Sequence, residues 1–356
     1  VSDDRNDATN QPPHHNPSPG PAFPVTLGGD ALFRALQPAL VEACGGPSCL
    51  GDIRWFRSVN QRGGGGTATA QFTGADGRVM PVVVKLPVGS LEYRWTVRLS
   101  GDGSGGDAGG GTGSGSGGVT PRVLAHGTSL GDNDLAWFVM ERLPVGLSPA
   151  SVSGDDVRDM LTAAARFERA ARDEQPLTEQ DQPKRFDFEK MMSRSREVIH
   201  RGVLVSGTEA QHWVNQLKAV HRVLPVLLRR WESRAVNAWC HGDLHAGNAM
   251  RRADGSMVLI DLALMHPGHW VEDALYLERT VWGREQALGG VSPVSELSLH
   301  RRELGLPCDD DYGRLACVRR VLTAACVPAL IEREGNRAYL AAAMEVIRKN
   351  IRLATH

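Results

Sequence analysis

The spacing of apolar residues changes along the chain, and each change marks a different kind of element. Leu32, Leu36 and Leu40 recur at helical spacing between Ala31 and Ala43, with Asp30 placed to cap the helix. From Ile53 the period shortens to two. Ile53 to Ser58, Thr67 to Thr73 and Val79 to Leu86 alternate as strands, and Asp76-Gly77 supplies the hairpin turn between the last two. Ser90 to Leu99 returns to the helical period, and Val119 to Ala125 and Leu135 to Glu141 are predicted to be two further strands. Beyond Leu143 helical periodicity dominates, over 157–172, 186–201, 209–231, 312–331 and 336–353. In the last of these, Leu340, Met344, Ile347 and Ile351 line one face as a core stripe. One β island interrupts the helices: 236–239, 249–251 and 257–260, the last two joined by an Asp254-Gly255 turn.

The expected architecture is α+β. A chain of 356 residues exceeds what one core usually supports, so two lobes are predicted: a small antiparallel sheet over 25–143 and a mainly helical lobe over 144–356. The first 24 residues hold six prolines among polar residues and are predicted to be a disordered tail. Residues 101–118, of which 11 are Gly, cannot bury enough surface to offset their backbone entropy. They are read as a flexible insertion, because a phosphate-cradling loop needs a strand before it and a helix after it.

Charge and cysteine usage remove several function classes. Lys plus Arg total 40 against 41 for Asp plus Glu, which gives no broad electrostatic reason for a nucleic acid or an anionic membrane as partner. The six cysteines form no C-x-x-C pair and read as reduced thiols, and the longest apolar stretches fall short of the roughly 18 residues a bilayer span needs. The cytoplasm is the expected location; a segment removed ahead of Val1 stays open.

The densest chemistry lies on the β island. His241-Gly242-Asp243-Leu244-His245-Ala246-Gly247-Asn248 follows one strand and leads into a hairpin whose second strand ends at Asp261. Phosphoryl transfer needs a carboxylate to orient and deprotonate a hydroxyl, and oxygen ligands for magnesium bridging the phosphates. Asp243 suits the first role, Asn248 and Asp261 the second. The Asp-to-Asn separation of five matches the kinase catalytic loop H-R-D-L-x-x-x-N, and an Asp after a hairpin lies where the metal-binding segment 259–263 would be.

With these residues in view, Trp239 to Asn248, Leu259-Ile260-Asp261, and Gly268 through Asp273-Ala274-Leu275 closely resemble the catalytic and metal segments of the aminoglycoside phosphotransferase and choline kinase group. Gly242 after His241, where protein kinases place Arg, is similar to the small-molecule branch. The resemblance runs from about Ile53 to Leu353. It implies a bilobal protein-kinase-like fold with ATP and Mg2+ in the cleft, and a small-molecule hydroxyl as acceptor. Asp273 could cap the helix running to Arg279, the resemblance adds that it braces the catalytic loop, and the two roles are compatible.

Lys85 is the only lysine among the first 183 residues and sits in the apolar run Val82-Val83-Val84-Lys85-Leu86, where it costs free energy unless it finds an anion. An ATP phosphate is the expected contact, and a lysine snorkelling from an edge strand is the alternative. Glu92, the only acidic residue of its helix, is the candidate partner of Lys85, or else a solvated helix charge. Gly63 and Gly64 begin a run to Gly66 where kinases cover the phosphates with backbone N–H groups, and a plain hairpin turn would look the same. Phe138 to Leu143 resembles the hinge that reads adenine, with Glu141 and Leu143 offering main-chain groups.

Two other classes stay in view. Gly242-Asp243-x-His245 also matches the start of a binuclear-metal phosphoesterase, and a kinase fold can bind nucleotide without turnover. For the acceptor, an aminoglycoside calls for an acidic wall, with Glu272, Glu278, Glu285 and Asp309 to Asp311 as candidates. A choline-like cation calls for aromatics such as Trp270, Tyr276 and Trp282.

Overall fold

The computed structural model describes residues 28–56, 65–101, 118–147 and 152–355. Gly63 and Gly64 lie outside them, as does the body of the glycine-rich segment. Helix α1 (Gly28–Ala43) begins ahead of Asp30 rather than at it. Strands β1 (Leu50–Phe56), β2 (Gly66–Thr73), β3 (Val79–Leu86), β4 (Val123–Gly127) and β5 (Trp137–Glu141) form one antiparallel sheet in the order β1-β2-β3-β5-β4. Helix α2 (Ser90–Leu99) lies between β3 and β4 in sequence.

The period-two pattern of β3 sorts its side chains. Val82, Val84 and Leu86 pack with Leu36 and Leu40 of α1 and with Trp137 and Val139. Val83 falls on the other face, with Phe138 and Met140, and Lys85 shares that parity opposite Phe138. That face looks toward α2. Strand β4 starts later than its sequence suggests. Pro121 cannot donate to a ladder, and Thr120 makes only an isolated parallel bridge to Ser100.

The helical part comprises β6 (Val145–Gly146), α3 (Gly154–Glu174), α4 (Phe188–His200), α5 (Gly207–Glu232), β7 (Ala238–Cys240), β8 (Ala249–Arg251), β9 (Met257–Leu259), β10 (His266–Gly268), α6 (Val271–Thr280), α7 (Pro293–Glu303), α8 (Tyr312–Leu330) and α9 (Arg337–Thr355). A capping box fixes the start of α3: Ser153 Oγ accepts from Asp156 N, and the Asp156 carboxylate accepts from Ser153 N. The large core joins α3, α5, α8 and α9 to β7 and β9 and includes Trp95 and Leu99 of α2. Trp95 is fully buried, its ring 4.8 Å from that of Trp239. Thus α2, although part of the sheet lobe in sequence, is fastened to the helical lobe. Among the described residues no helix is long and apolar enough to cross a membrane.

Three elements fall outside the sequence expectation. The two-residue β6 is too short to show alternation, and β10 reads His-Pro-Gly, so pairing with β7 must come from tertiary context. In α7 the buried face includes Ser298 and Arg301 beside Val294 and Leu297, which blurs its apolar period.

Candidate active site

The loop after β7 is built around a glycine and two buried polar residues. Gly242 has φ +81°, and a Cβ there would sit 2.3 Å from the Leu264 carbonyl oxygen, so the turn admits no side chain. Asp273, fully buried, accepts from His241 N at 2.7 Å and from Gly242 N at 2.9 Å. It therefore braces the loop; the capping role is not seen, because Asp273 is the third residue of α6 and its carboxylate points to the loop. Buried His241 joins the two chemical segments: its Nε2–H donates to Ile260 O at 2.9 Å, and its Nδ1 accepts from Asp243 N at 3.3 Å.

Asp243 is held by neighbours on both sides. Its Oδ2 accepts from Asn248 Nδ2 at 3.1 Å, and the same amide donates to the Asp243 carbonyl at 3.0 Å. His245 Nε2 lies 3.6 Å from the carboxylate while its Nδ1 accepts from Gly247 N, and the Tyr276 hydroxyl donates to the carboxylate from α6. Burial acts to raise the pKa of Asp243, but hydrogen bonds from His245 and Tyr276 and the nearby charge of His245 and His241 outweigh it and bring it down to about 2. The carboxylate is ionised at neutral pH.

The β8–β9 register sets Ala249 opposite Leu259, and Ile260 N donates to Asn248 O at 3.0 Å, so Asn248 is beside the residue that precedes Asp261. Asp261 has a left-handed backbone, φ 65° and ψ 67°, a conformation a non-glycine residue holds only where its surroundings impose it. Its carboxylate has no hydrogen-bond or ion-pair partner among the described residues, and Asn248 has a carbonyl oxygen to spare once its NH2 is bound to Asp243. These are hard oxygen donors, the chemistry magnesium prefers.

Lys85 Nζ and Glu92 Oε1 form an ion pair at 2.6 Å, with Glu92 almost buried in α2. Both residues line a narrow pocket between the sheet and the β9 end, and Asp261, Thr120, Phe138 and Met140 line the same pocket. The solvated-charge and snorkelling alternatives do not describe this pair. Roomier clefts lie elsewhere, beside the start of α4 and beside α1, away from these groups.

At the end of β5 the Glu141 N–H donates to Arg122 O at 2.8 Å, and the Glu141 carboxylate accepts from Arg122 N and from Arg252. Leu143 is buried beside it. Arg252, on the β8–β9 turn, also donates to Gly118 O and Thr120 O, tying that hairpin to the sheet. Sequence reasoning passed over Arg252, and nothing local sets it apart from Arg251. It also gave Tyr276 no contact with Asp243.

The candidate acceptor residues are mostly engaged. Glu272 pairs with Arg234 at 3.0 Å and Glu278 with Arg320 at 2.7 Å, while Asp309 accepts from Asn237 and His269. Trp270 is fully buried and Glu285 caps the N–H of Gly283. Burial acts to raise the pKa of Glu272, but His266, Arg319 and Arg234 bring it down to about 2. Among the described residues, one trio of ligand-type atoms lies within 4.8 Å, on Cys240, His266 and Glu272; Arg234 already occupies Glu272, and Asp243 is not part of the trio.

A family model described as "Phosphotransferase enzyme family" matches residues 114–292, which contain the loop after β7 and the β8–β9 hairpin. Among solved structures, a choline/ethanolamine kinase family protein from Mesorhizobium loti is 13% identical with a TM-score of 0.50, covering 90% of this chain and 94% of its own. An amicoumacin kinase in complex with AMP-PNP, Ca2+ and Ami is 12% identical, with a TM-score of 0.48 over 83% of this chain and 88% of its own. A choline kinase from Streptococcus pneumoniae is 11% identical, with a TM-score of 0.48 over 92% and 99%. At such identities the likeness is one of fold, and the fold is bilobal and protein-kinase-like. No curated protein matches the sequence.

Proposed function

Because the chain belongs to the phosphotransferase enzyme family, we propose that it transfers the γ-phosphoryl group of ATP, with magnesium, to a hydroxyl group of a small molecule in the cytoplasm. The observation that carries the reading is the shared pocket: the Lys85–Glu92 pair and the unpartnered Asp261 carboxylate, from distant parts of the chain, line one space.

Lys85, oriented by Glu92, holds the phosphates of the nucleotide. Asn248 and Asp261 hold magnesium, which when bound neutralises phosphate charge. Main-chain groups of Glu141 and Leu143 receive the adenine, with the N–H of Glu141 excluded because it is bound to Arg122 O. Gly63 and Gly64 are, by their place in the sequence, the candidates for covering the phosphates with backbone N–H groups. Asp243 orients the acceptor hydroxyl. As the acceptor oxygen bonds to the γ-phosphorus, the bond to the β,γ-bridging oxygen breaks, the hydroxyl proton passes to the Asp243 carboxylate, and ADP leaves. With a pKa of about 2 this carboxylate is a weak base, so its main contribution is alignment and late acceptance of the proton in a loose transition state. The phosphoesterase alternative would recruit Asp243 and His245 as metal ligands, whereas here they bond to Asn248 and to Gly247.

A coupled ADP-release screen over hydroxylated metabolites, run beside Asp243→Asn, tests the reading. The variant should keep nucleotide affinity and lose turnover by about two to four orders of magnitude. Near-normal turnover would remove Asp243 from its role.

A further inference from the structure

We infer that the phosphoryl acceptor carries an anionic group, a carboxylate or phosphate, close to the hydroxyl that is phosphorylated. The inference rests on the phosphotransferase reading and adds to it the charge class of the acceptor.

Tyr276, whose hydroxyl reaches Asp243, forms one wall of a second narrow pocket. The remaining walls include Arg279, Trp282, Arg319, Arg320 and Thr323. This space is small, about 30 Å³, room for a carboxylate-sized group and not for the body of an acceptor, and the Tyr276 hydroxyl joins it to Asp243. Its lining is rich in donors and cations. The Arg279 guanidinium stacks over Tyr276 at 4.5 Å, and that of Arg319 sits between Phe188 and Trp231 at 5.0 and 4.7 Å. Neither makes an ion pair with a carboxylate among the described residues.

Trp282 adds a buried indole N–H with no acceptor among the described residues. The acids nearby offset only part of this charge. Glu278 is held bidentately by Arg320. Glu272, also in the lining, accepts from Arg234 and from His269 N and lies 3.6 Å from His266. Burial lowers the pKa of Arg319, and Glu272 only partly counters it, as for a cation whose surroundings leave it under-neutralised.

A planar, weakly hydrated guanidinium in such a place is suited to a carboxylate or phosphate. A polyamine or quaternary ammonium would meet like charge. Of the acids considered for an aminoglycoside wall, Glu272 and Glu278 in this region are already paired with arginines.

The test is ADP release with Mg-ATP and five acceptors: glycerate and glycerol 3-phosphate as anions, glycerol as the neutral, choline and an aminoglycoside as cations. Expected is a kcat/KM at least about tenfold higher for an anionic acceptor than for glycerol. Arg279→Gln should lower it about tenfold to a hundredfold through KM for the anion, with KM for ATP unmoved. A merely structural role for Arg279 would not separate the two KM values. Preference for a cationic acceptor overturns the inference and leaves the phosphotransferase reading standing. If no acceptor releases ADP, titration of the ADP-bound protein with glycerate and inorganic phosphate decides, and absence of binding overturns the inference. Failure to bind Mg-ATP at all sinks the earlier reading instead.

Discussion

Replacing Asp273 by Asn isolates what the buried carboxylate does for the catalytic loop. The two side chains are nearly isosteric, so packing of the fully buried site is kept. One of the two oxygens that accept from His241 N and Gly242 N, at 2.7 and 2.9 Å, becomes an NH2 facing an N–H. Losing one hydrogen bond to a charged acceptor and leaving a buried donor unpaired costs about 2–4 kcal/mol. Burial raises the pKa of Asp273, so removing the charge recovers part of this, and the net loss is about 1–3 kcal/mol. The effect on turnover should be larger than the effect on stability. The orphaned N–H must move, and a displacement of about 1 Å at Asp243 is worth about a hundredfold in rate. Urea unfolding at constant m gives the first quantity and coupled ADP release the second. Asp155→Asn, with its carboxylate 89% exposed, is the control and should stay within about 0.5 kcal/mol. Wild-type turnover together with a stability change below about 0.5 kcal/mol would refute the bracing role.

The other expectations are more direct. Asp261→Asn should weaken nucleotide binding in magnesium by about tenfold or more and change binding in its absence little; equal loss in both would argue against a metal ligand. Gly242→Ala, with its Cβ against the Leu264 carbonyl and a positive φ, should lose at least about 2 kcal/mol, and a well-folded active variant would show that the loop can yield. The Asp243 carboxyl, followed by 13C NMR, should titrate near 2 and move upward in His245→Asn, whereas a wild-type midpoint at the ordinary value of about 3.9 would contradict the network around it. Because its folded pKa is depressed, the stability Asp243 contributes is present above pH of about 4 and is lost as pH falls through about 2.

How much of this was legible in the sequence depended on whether the relevant partner lay nearby along the chain. Asp243 and Asn248 sit in one turn, and Asp261 follows one hairpin later, so spacing alone grouped them. Lys85 stood out because a lysine interrupts an alternating apolar strand, and the strand's parity put it on the cleft side. From its own neighbourhood Asp273 reads only as a helix cap, and its bracing role came from the resemblance, because its donors lie 31 and 32 residues earlier. The engagement of three candidate acids was hidden for the same reason. Glu272 and Glu278 find arginines 38 and 42 residues away, and Asp309 finds His269 across 40. Short β10, with its Pro and Gly, carries no strand signal of its own.

The packing of Trp95 against Trp239 bears on control of activity. In α2 the glutamate that grips Lys85 is three residues from a tryptophan sunk in the main core. Swinging this helix outward to break the grip would expose that indole to water, at a cost of about 3 kcal/mol or more from its area alone. The Lys85–Glu92 ion pair is therefore tied to the packing of the main core, and the two would have to give way together.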